Sequence, residues 1–185
     1  MKRIGLIVLA GAAGVAGAGY TNVALNAEVS LVAGGVNGAA LSTLTDGVFR
    51  PRSTQWQNGT VWWNGTTPTM QIDLGGVFNI GGAILQGDDN DAYRILYRNM
   101  DTGAFETMWD VPNYDNFGGG MQTRPNPDDD TEVFLLGQNF LTDAVRVVAV
   151  SGDNAYSVSE VQLFVIPAPA SIGLLLGLAA VRRRR

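Results

Sequence analysis

The chain of 185 residues contains no cysteine and no histidine. The first absence excludes disulfide scaffolds and thiolate nucleophiles, and the two together exclude zinc fingers, imidazole-based triads and His-ligated metals. Lysine is nearly missing too, since Lys2 is the sole one. Of twelve basic residues, Lys2, Arg3 and Arg182 to Arg185 are terminal, which leaves six against seventeen acidic ones between the ends, a net charge of about −11. Such a body repels nucleic acid and anionic membrane and offers oxygen ligands to hard cations. A sustained helical period is absent as well, and the length suits one domain around a single core.

What is present begins at the termini. MKRIGLIVLAGAAGVAGAGY opens with Lys2 and Arg3, continues apolar from Ile4 into Val15 and reaches the small triplet Ala16-Gly17-Ala18. This is the pattern of an export signal, with cleavage expected after Ala18; the alternative is a short buried helix. At the other end, Ala170 to Val181 is an apolar run of twelve residues, short of the roughly 20 that cross a bilayer core. Four arginines follow, which the positive-inside preference would hold in the cytoplasm. The order Pro167, Pro169, apolar helix and Arg182, Arg183, Arg184, Arg185 resembles the PEP-CTERM sorting signal of Gram-negative bacteria, with Ala168 where that family's glutamate would sit. The resemblance implies an exosortase-type membrane protease as partner, transient anchoring through the C-terminal helix, passage along the outer face of the inner membrane, and a final place at the cell surface or in the extracellular matrix. An uncleaved C-terminal anchor is the competing reading. The expected segments are a signal at 1–18, a body at 19–165 and a sorting signal at 166–185.

Short apolar or alternating runs broken by Gly, Asn, Asp and Pro make the body read as an all-β sandwich. Expected strands are Met70 to Leu74, Gly82 to Gln86, Tyr93 to Arg98, Phe105 to Val111, Glu132 to Leu136, Ala144 to Ser151 and Ser159 to Val165. In the first, alternation puts Met70, Ile72 and Leu74 on one face and Gln71 and Asp73 on the other. FGGGMQTRPNPDDD, from Phe117, reads as one long exposed loop.

Several pieces occur in an order that resembles the discoidin family, also called the coagulation factor 5/8 type C domain: NVALNAEVS (22–30), LTDG (44–47), the pair Trp62-Trp63, QIDLGGVFNIGGAILQGDD (71–89), YRILYR (93–98), VRVVAV (145–150) and SVSEVQLF (157–164). The resemblance implies a galactose-binding-like jelly-roll β-sandwich. It also implies a structural calcium ion held by Asp46 and Glu160 with the backbone at Thr43, Val48 and Ser159; the alternative is that Asp46 supports its turn and Glu160 faces water.

For a ligand, a pyranose ring needs a flat apolar platform and a few fixed hydrogen-bonding groups. Trp56, Trp62 and Tyr114 are the aromatic candidates, Arg124 a planar donor fork, and Asp88, Asn90 and Asp91 acceptors. Each has a plainer reading: core packing for the tryptophans, a surface ion pair with Asp128 to Asp130 for Arg124, and a solvated turn for GDDNDAY, whose spacing does not fit an EF-hand. Asn58-Gly59-Thr60 and Asn64-Gly65-Thr66 match the glycosylation pattern and read as turns. Three functions remain. The first is a non-catalytic module binding extracellular polysaccharide or another glycan, the second a structural envelope or biofilm matrix protein. The third and weakest is a hydrolase using Asp88 and Asp91 as acid and base.

Overall fold

The structure, a computed structural model, describes residues 19–114 and 119–166. The expected signal at 1–18 and the sorting residues Pro167, Pro169 and Arg182 to Arg185 lie outside the described residues. The strands are β1 (Thr21–Asn22), β2 (Glu28–Ala33), β3 (Asn37–Gly38), β4 (Val61–Asn64), β5 (Thr69–Asp88), β6 (Ala92–Arg98), β7 (Phe105–Val111), β8 (Met121–Arg124), β9 (Phe134–Ser151) and β10 (Ala155–Val165), with a 3-10 turn at Leu41–Thr45. No α-helix occurs among the described residues, so none there is long and apolar enough to cross a membrane.

Two long strands build the architecture. In the first part of β5, Met70, Ile72 and Leu74 are buried, as the alternation requires, and this part pairs with β2 and with the second half of β9. Register breaks between Asp73 and Phe78, where Gly75 adopts a positive φ of 72°. Beyond the break the same strand pairs with β10 through Ile80–Gly87 and with β8 through Leu85–Asp88. MQIDL and GAILQ are therefore one strand that passes from one layer to the other, and the expected strands at 132–136 and 144–151 are likewise joined in β9. One antiparallel layer runs β2, β5, β9, β6, β7; the other has β10 between β5 and the short strands β1 and β4.

Between the layers lies a single core that includes Trp63, Met70, Ile72, Leu85, Tyr93, Ile95, Val147, Val161 and Leu163. Burying each aliphatic side chain is worth about 1.5–3 kcal/mol, which is what holds strands so far apart in sequence together. Trp63 carries the aromatic part, with ring centroids 6.3 Å from Tyr93 and 6.1 Å from Tyr156.

The second half of β5 is buried on both faces, because the segment after the 3-10 turn lies across its outer side. Gln86 fastens that segment. Its side-chain amide acts as a strand neighbour would: Nε2 donates to the Arg50 carbonyl at 3.0 Å and to Thr123 Oγ1 at 3.0 Å, while Oε1 accepts from Arg50 N at 2.6 Å and from Ser159 Oγ at 2.6 Å. The same cover corrects the expectation of a long exposed loop after Phe117. Residues 121–124 form β8 and are fully buried, held by Ser53 and Thr54, whose backbones bond to Met121 at 2.9 Å in each direction. Gly120 permits this approach, with a φ of 85° and a position where any Cβ would strike the Thr54 carbonyl.

Gln86→Leu keeps the volume and removes the partner of buried Ser159 Oγ and of the half-buried Arg50 backbone N–H and carbonyl, whereas Thr123 Oγ1 keeps Asp130. Unsatisfied buried groups cost about 1–3 kcal/mol each, so the midpoint of thermal unfolding is expected to fall by several degrees and amide exchange at Arg50 to accelerate; an unchanged midpoint would show that Gln86 does not fasten this cover.

Candidate functional site

At one end of the molecule the β5–β6 turn (88–91), the segment after β7 (112–114) and the β9–β10 turn (151–154) converge. Their organiser is Arg124, which is 3 % exposed. Its Nη1 donates to the carbonyls of Gly87 (2.7 Å) and Gln122 (2.9 Å), Nη2 to those of Asp88 (2.5 Å), Asp89 (3.2 Å) and Asp91 (3.1 Å), and Nε to that of Pro112 (3.3 Å). A guanidinium has five N–H donors, so none is left over. Arg124 is thus neither the free donor fork nor the surface partner of Asp128 to Asp130 that the sequence suggests; Arg52 pairs with Asp128 instead. Burial pushes the guanidinium below its usual pKa, and the charges of Asp89, Asp88 and Asp91 oppose that shift.

The GDDNDAY turn is not solvated. Asp88, Asp89 and Asp91 are all buried. Asp89 clamps the glycine segment, accepting from Gly119 N at 2.6 Å and Gly120 N at 3.1 Å, and its carbonyl takes Tyr114 N at 2.7 Å. Asp91 Oδ2 accepts from Tyr93 OH at 3.1 Å, whereas Asp91 Oδ1 has no partner and lies against Gly152, where a Cβ would overlap it. Desolvation raises Asp88 to about 6, helped by Asp89, and Asp91 to about 7, helped by Asp88. Two carboxyls sealed into backbone turns cannot reach a glycosidic bond, which removes the geometric basis for Asp88 and Asp91 as acid and base.

Two depressions open beside this turn. One, of about 410 Å³, is polar and lined by Asn90, Asn113, Ser151, Gly152 and Asp153. Asn90 Nδ2 donates to Asp153 Oδ2 at 3.1 Å, and Ala155 N to Asp153 Oδ1 at 2.9 Å, so that carboxylate is fixed. The other, of about 120 Å³, is an aromatic slot between the layers, lined by Trp109, Pro112, Asn113, Tyr114, Arg124, Pro125 and Phe134. Trp109 and Phe134 stack at 4.7 Å with 11° between planes, and Tyr114 is 48 % exposed. Asn113 borders both depressions.

Of the ligand candidates read from sequence, Asn90 and Tyr114 line these depressions, Arg124 forms a wall of the slot, and Asp88 and Asp91 lie behind. Trp56 and Trp62 line neither; they meet edge to face at 5.5 Å, with Trp62 on the face of β4 opposite to Trp63. Sequence reasoning missed Trp109, Asn113, Phe134, Ser151 and Asp153. The Ser-Gly-Asp-Asn turn after VRVVAV was a usable signal for the last two; the Trp109–Phe134 stack unites residues from separate strands and had none.

Elsewhere, LTDG and SVSEVQ do meet. Glu160 is fully buried and accepts from Gly47 N at 3.2 Å and Gln162 Nε2 at 3.2 Å, and burial raises its carboxyl to about 7, helped by the charge of Asp46. Asp46 Oδ1 accepts from Val48 N at 2.8 Å, Thr43 Oγ1 donates to the Ala40 carbonyl, and Ser159 Oγ is taken by Gln86. No third acid joins the pair among the described residues. Glu160 therefore does not face water, and no basic residue pairs with it among the described residues.

Asp88, Asp91 and Glu160 bind protons more tightly folded than unfolded, so their contribution to stability is complete below the ordinary values of 3.8 and 4.5 and is lost as pH rises through about 6 to 7. In calcium-free buffer the unfolding midpoint is expected to fall from pH 4.5 to pH 8, and Asp91→Asn with Glu160→Gln to flatten the profile. A midpoint that rises over this range would contradict the assignment.

No family model and no curated protein matches the chain. Solved structures do. A family 32 carbohydrate-binding module from C. perfringens NanJ, in complex with galactose, matches with a TM-score of 0.52 at 10% identity, over 79% of this chain and 98% of that one. A fucolectin from striped bass (Morone saxatilis) serum matches with a TM-score of 0.57 at 15% identity, over 83% of this chain and 51% of that one. SpGH29 matches with a TM-score of 0.52 at 17% identity, and this chain spans only 28% of its length. The sandwich is the galactose-binding-like fold shared by these carbohydrate-binding modules and lectins.

Proposed function

We propose that this protein is a non-catalytic glycan-binding module, exported and held at the cell surface or in the extracellular matrix. The observation that carries the binding is the pairing of an apolar slot walled by Trp109, Tyr114 and Phe134 with a polar depression bearing Asn90, Ser151 and Asp153, on a fold whose solved relatives include a module in complex with galactose and a fucolectin. A sugar's apolar face suits the slot and its hydroxyls the fixed amide and carboxylate. Export and exosortase sorting rest on the sequence at 1–18 and 166–185.

In a titration against galactose, fucose and N-acetylglucosamine oligomers, Tyr114→Ala and Phe134→Ala are expected to weaken binding of the best ligand about tenfold, the size of a lost ring contact, with little change in the unfolding midpoint for Tyr114→Ala. Full affinity in both variants would remove the slot from the site.

The proposal extends to a structural calcium ion. Two neighbouring carboxylates without a basic partner suit a hard cation, which would be held by Asp46 and Glu160 with carbonyls at Thr43, Val48 and Ser159, and would keep Glu160 ionised. A cation that binds only the folded state must raise the midpoint. Millimolar calcium at pH 7.5 is therefore expected to raise it over EDTA, and Glu160→Gln to abolish the rise. Equal midpoints in calcium and EDTA would eliminate the ion.

A further inference from the structure

Resting on the glycan-binding reading, we infer that the polar depression selects sugars carrying a free, protonated amine over neutral ones and turns away sugar acids. The fixed carboxylate of Asp153 lines the depression, and the buried carboxyls of Asp88, Asp89 and Asp91 stand behind its floor. These groups act on one another: Asp153 and Asp88 both contribute to the proton affinity of Asp91. The one cation among them, Arg124, spends every N–H on a backbone carbonyl and has none for a ligand carboxylate. Of the arginines near it, Arg94 pairs with Asp110 and Arg52 with Asp128.

An unmatched hydrogen-bonding atom points the same way. Asn90 Oδ1, on a lining residue, is buried and without a partner, and it is an acceptor. An ammonium group brings three donors and no acceptor, whereas a carboxylate brings acceptors only. A hexosamine amine thus answers both the fixed carboxylate of Asp153 and the unpartnered oxygen of Asn90, and a uronic acid answers neither.

Calorimetric titration of the full chain at pH 6.5 and low salt, with the tetramers of glucosamine, N-acetylglucosamine and galacturonic acid and with galactose, tests this. The glucosamine tetramer is expected to bind about three- to tenfold tighter than its acetylated form, the gap to shrink at 0.5 M salt, and the galacturonate tetramer not to bind. Asp153→Asn is expected to narrow the gap. Asp101→Asn, an equal change of net charge in the β6–β7 turn at the other end of the molecule, is expected to preserve it. Amine selectivity alone is overturned if the acetylated tetramer binds as tightly as the free amine, if galacturonate binds best, or if Asp101→Asn narrows the gap as much as Asp153→Asn. Failure of all four sugars to bind overturns the glycan reading together with it.

Discussion

A guanidinium removed from water must find an acceptor for each of its five hydrogens, and Arg124 finds six carbonyls, at Gly87, Asp88, Asp89, Asp91, Pro112 and Gln122. Those carbonyls belong to three separate stretches of chain. Without the guanidinium they would lose that donor, and each one left unsatisfied would cost about 1–3 kcal/mol. The shape of this end of the molecule follows from that single demand: the 88–91 turn curls around the charge, the 112–114 segment is drawn to it, and β8 lies where its last residue can reach both. Tyr93 completes the enclosure, with its ring 5.9 Å from the guanidinium carbon and its hydroxyl on Asp91 and the Ser157 carbonyl.

Because that charge is consumed in holding backbone, Arg124 has no N–H to offer a ligand. The carboxyls of the turn act in two ways. Asp89 gathers the amides of Gly119 and Gly120 and so fixes the entry to β8, whereas Asp91 is left with one oxygen unpaired against Gly152. The proposed ligand surface is made by what lies outside this frame: aromatic rings from β7, β9 and the 112–114 segment, and the amide and carboxylate of Asn90 and Asp153. Rigid backbone behind a small number of oriented side chains is the arrangement that keeps the ordering cost of binding low.

The layers were more legible in the sequence than the site. Alternation in MQIDL and the Gly- and Asp-marked breaks were enough for an all-β sandwich, and the meeting of LTDG with Glu160 followed from the discoidin resemblance. Period-2 patterning stops at a buried face, however, so it could not show that MQIDL and GAILQ are one strand crossing between layers, nor that Gln86 points outward and is still covered. Composition misled at two places for one reason. GDDNDAY and MQTR are polar enough to read as solvated, and their burial depends on Arg124 meeting carbonyls some 35 residues away in sequence, a long-range pairing that local pattern does not encode, whereas Asp128 to Asp130 are exposed as expected. The tryptophans were conspicuous as residues, yet the ring stack at the slot comes from Trp109 and Phe134, brought together by the layers.

The proposed glycan site lies at the end organised by Arg124. Mapping amide chemical-shift changes in the isotope-labelled protein during titration with galactose and hexosamine oligomers tests it most directly. Changes are expected to concentrate at Asn90, Asn113, Tyr114 and 151–153, with the Met100 and Leu141 end unaffected. Changes centred on that far end, or none with any sugar, would contradict it.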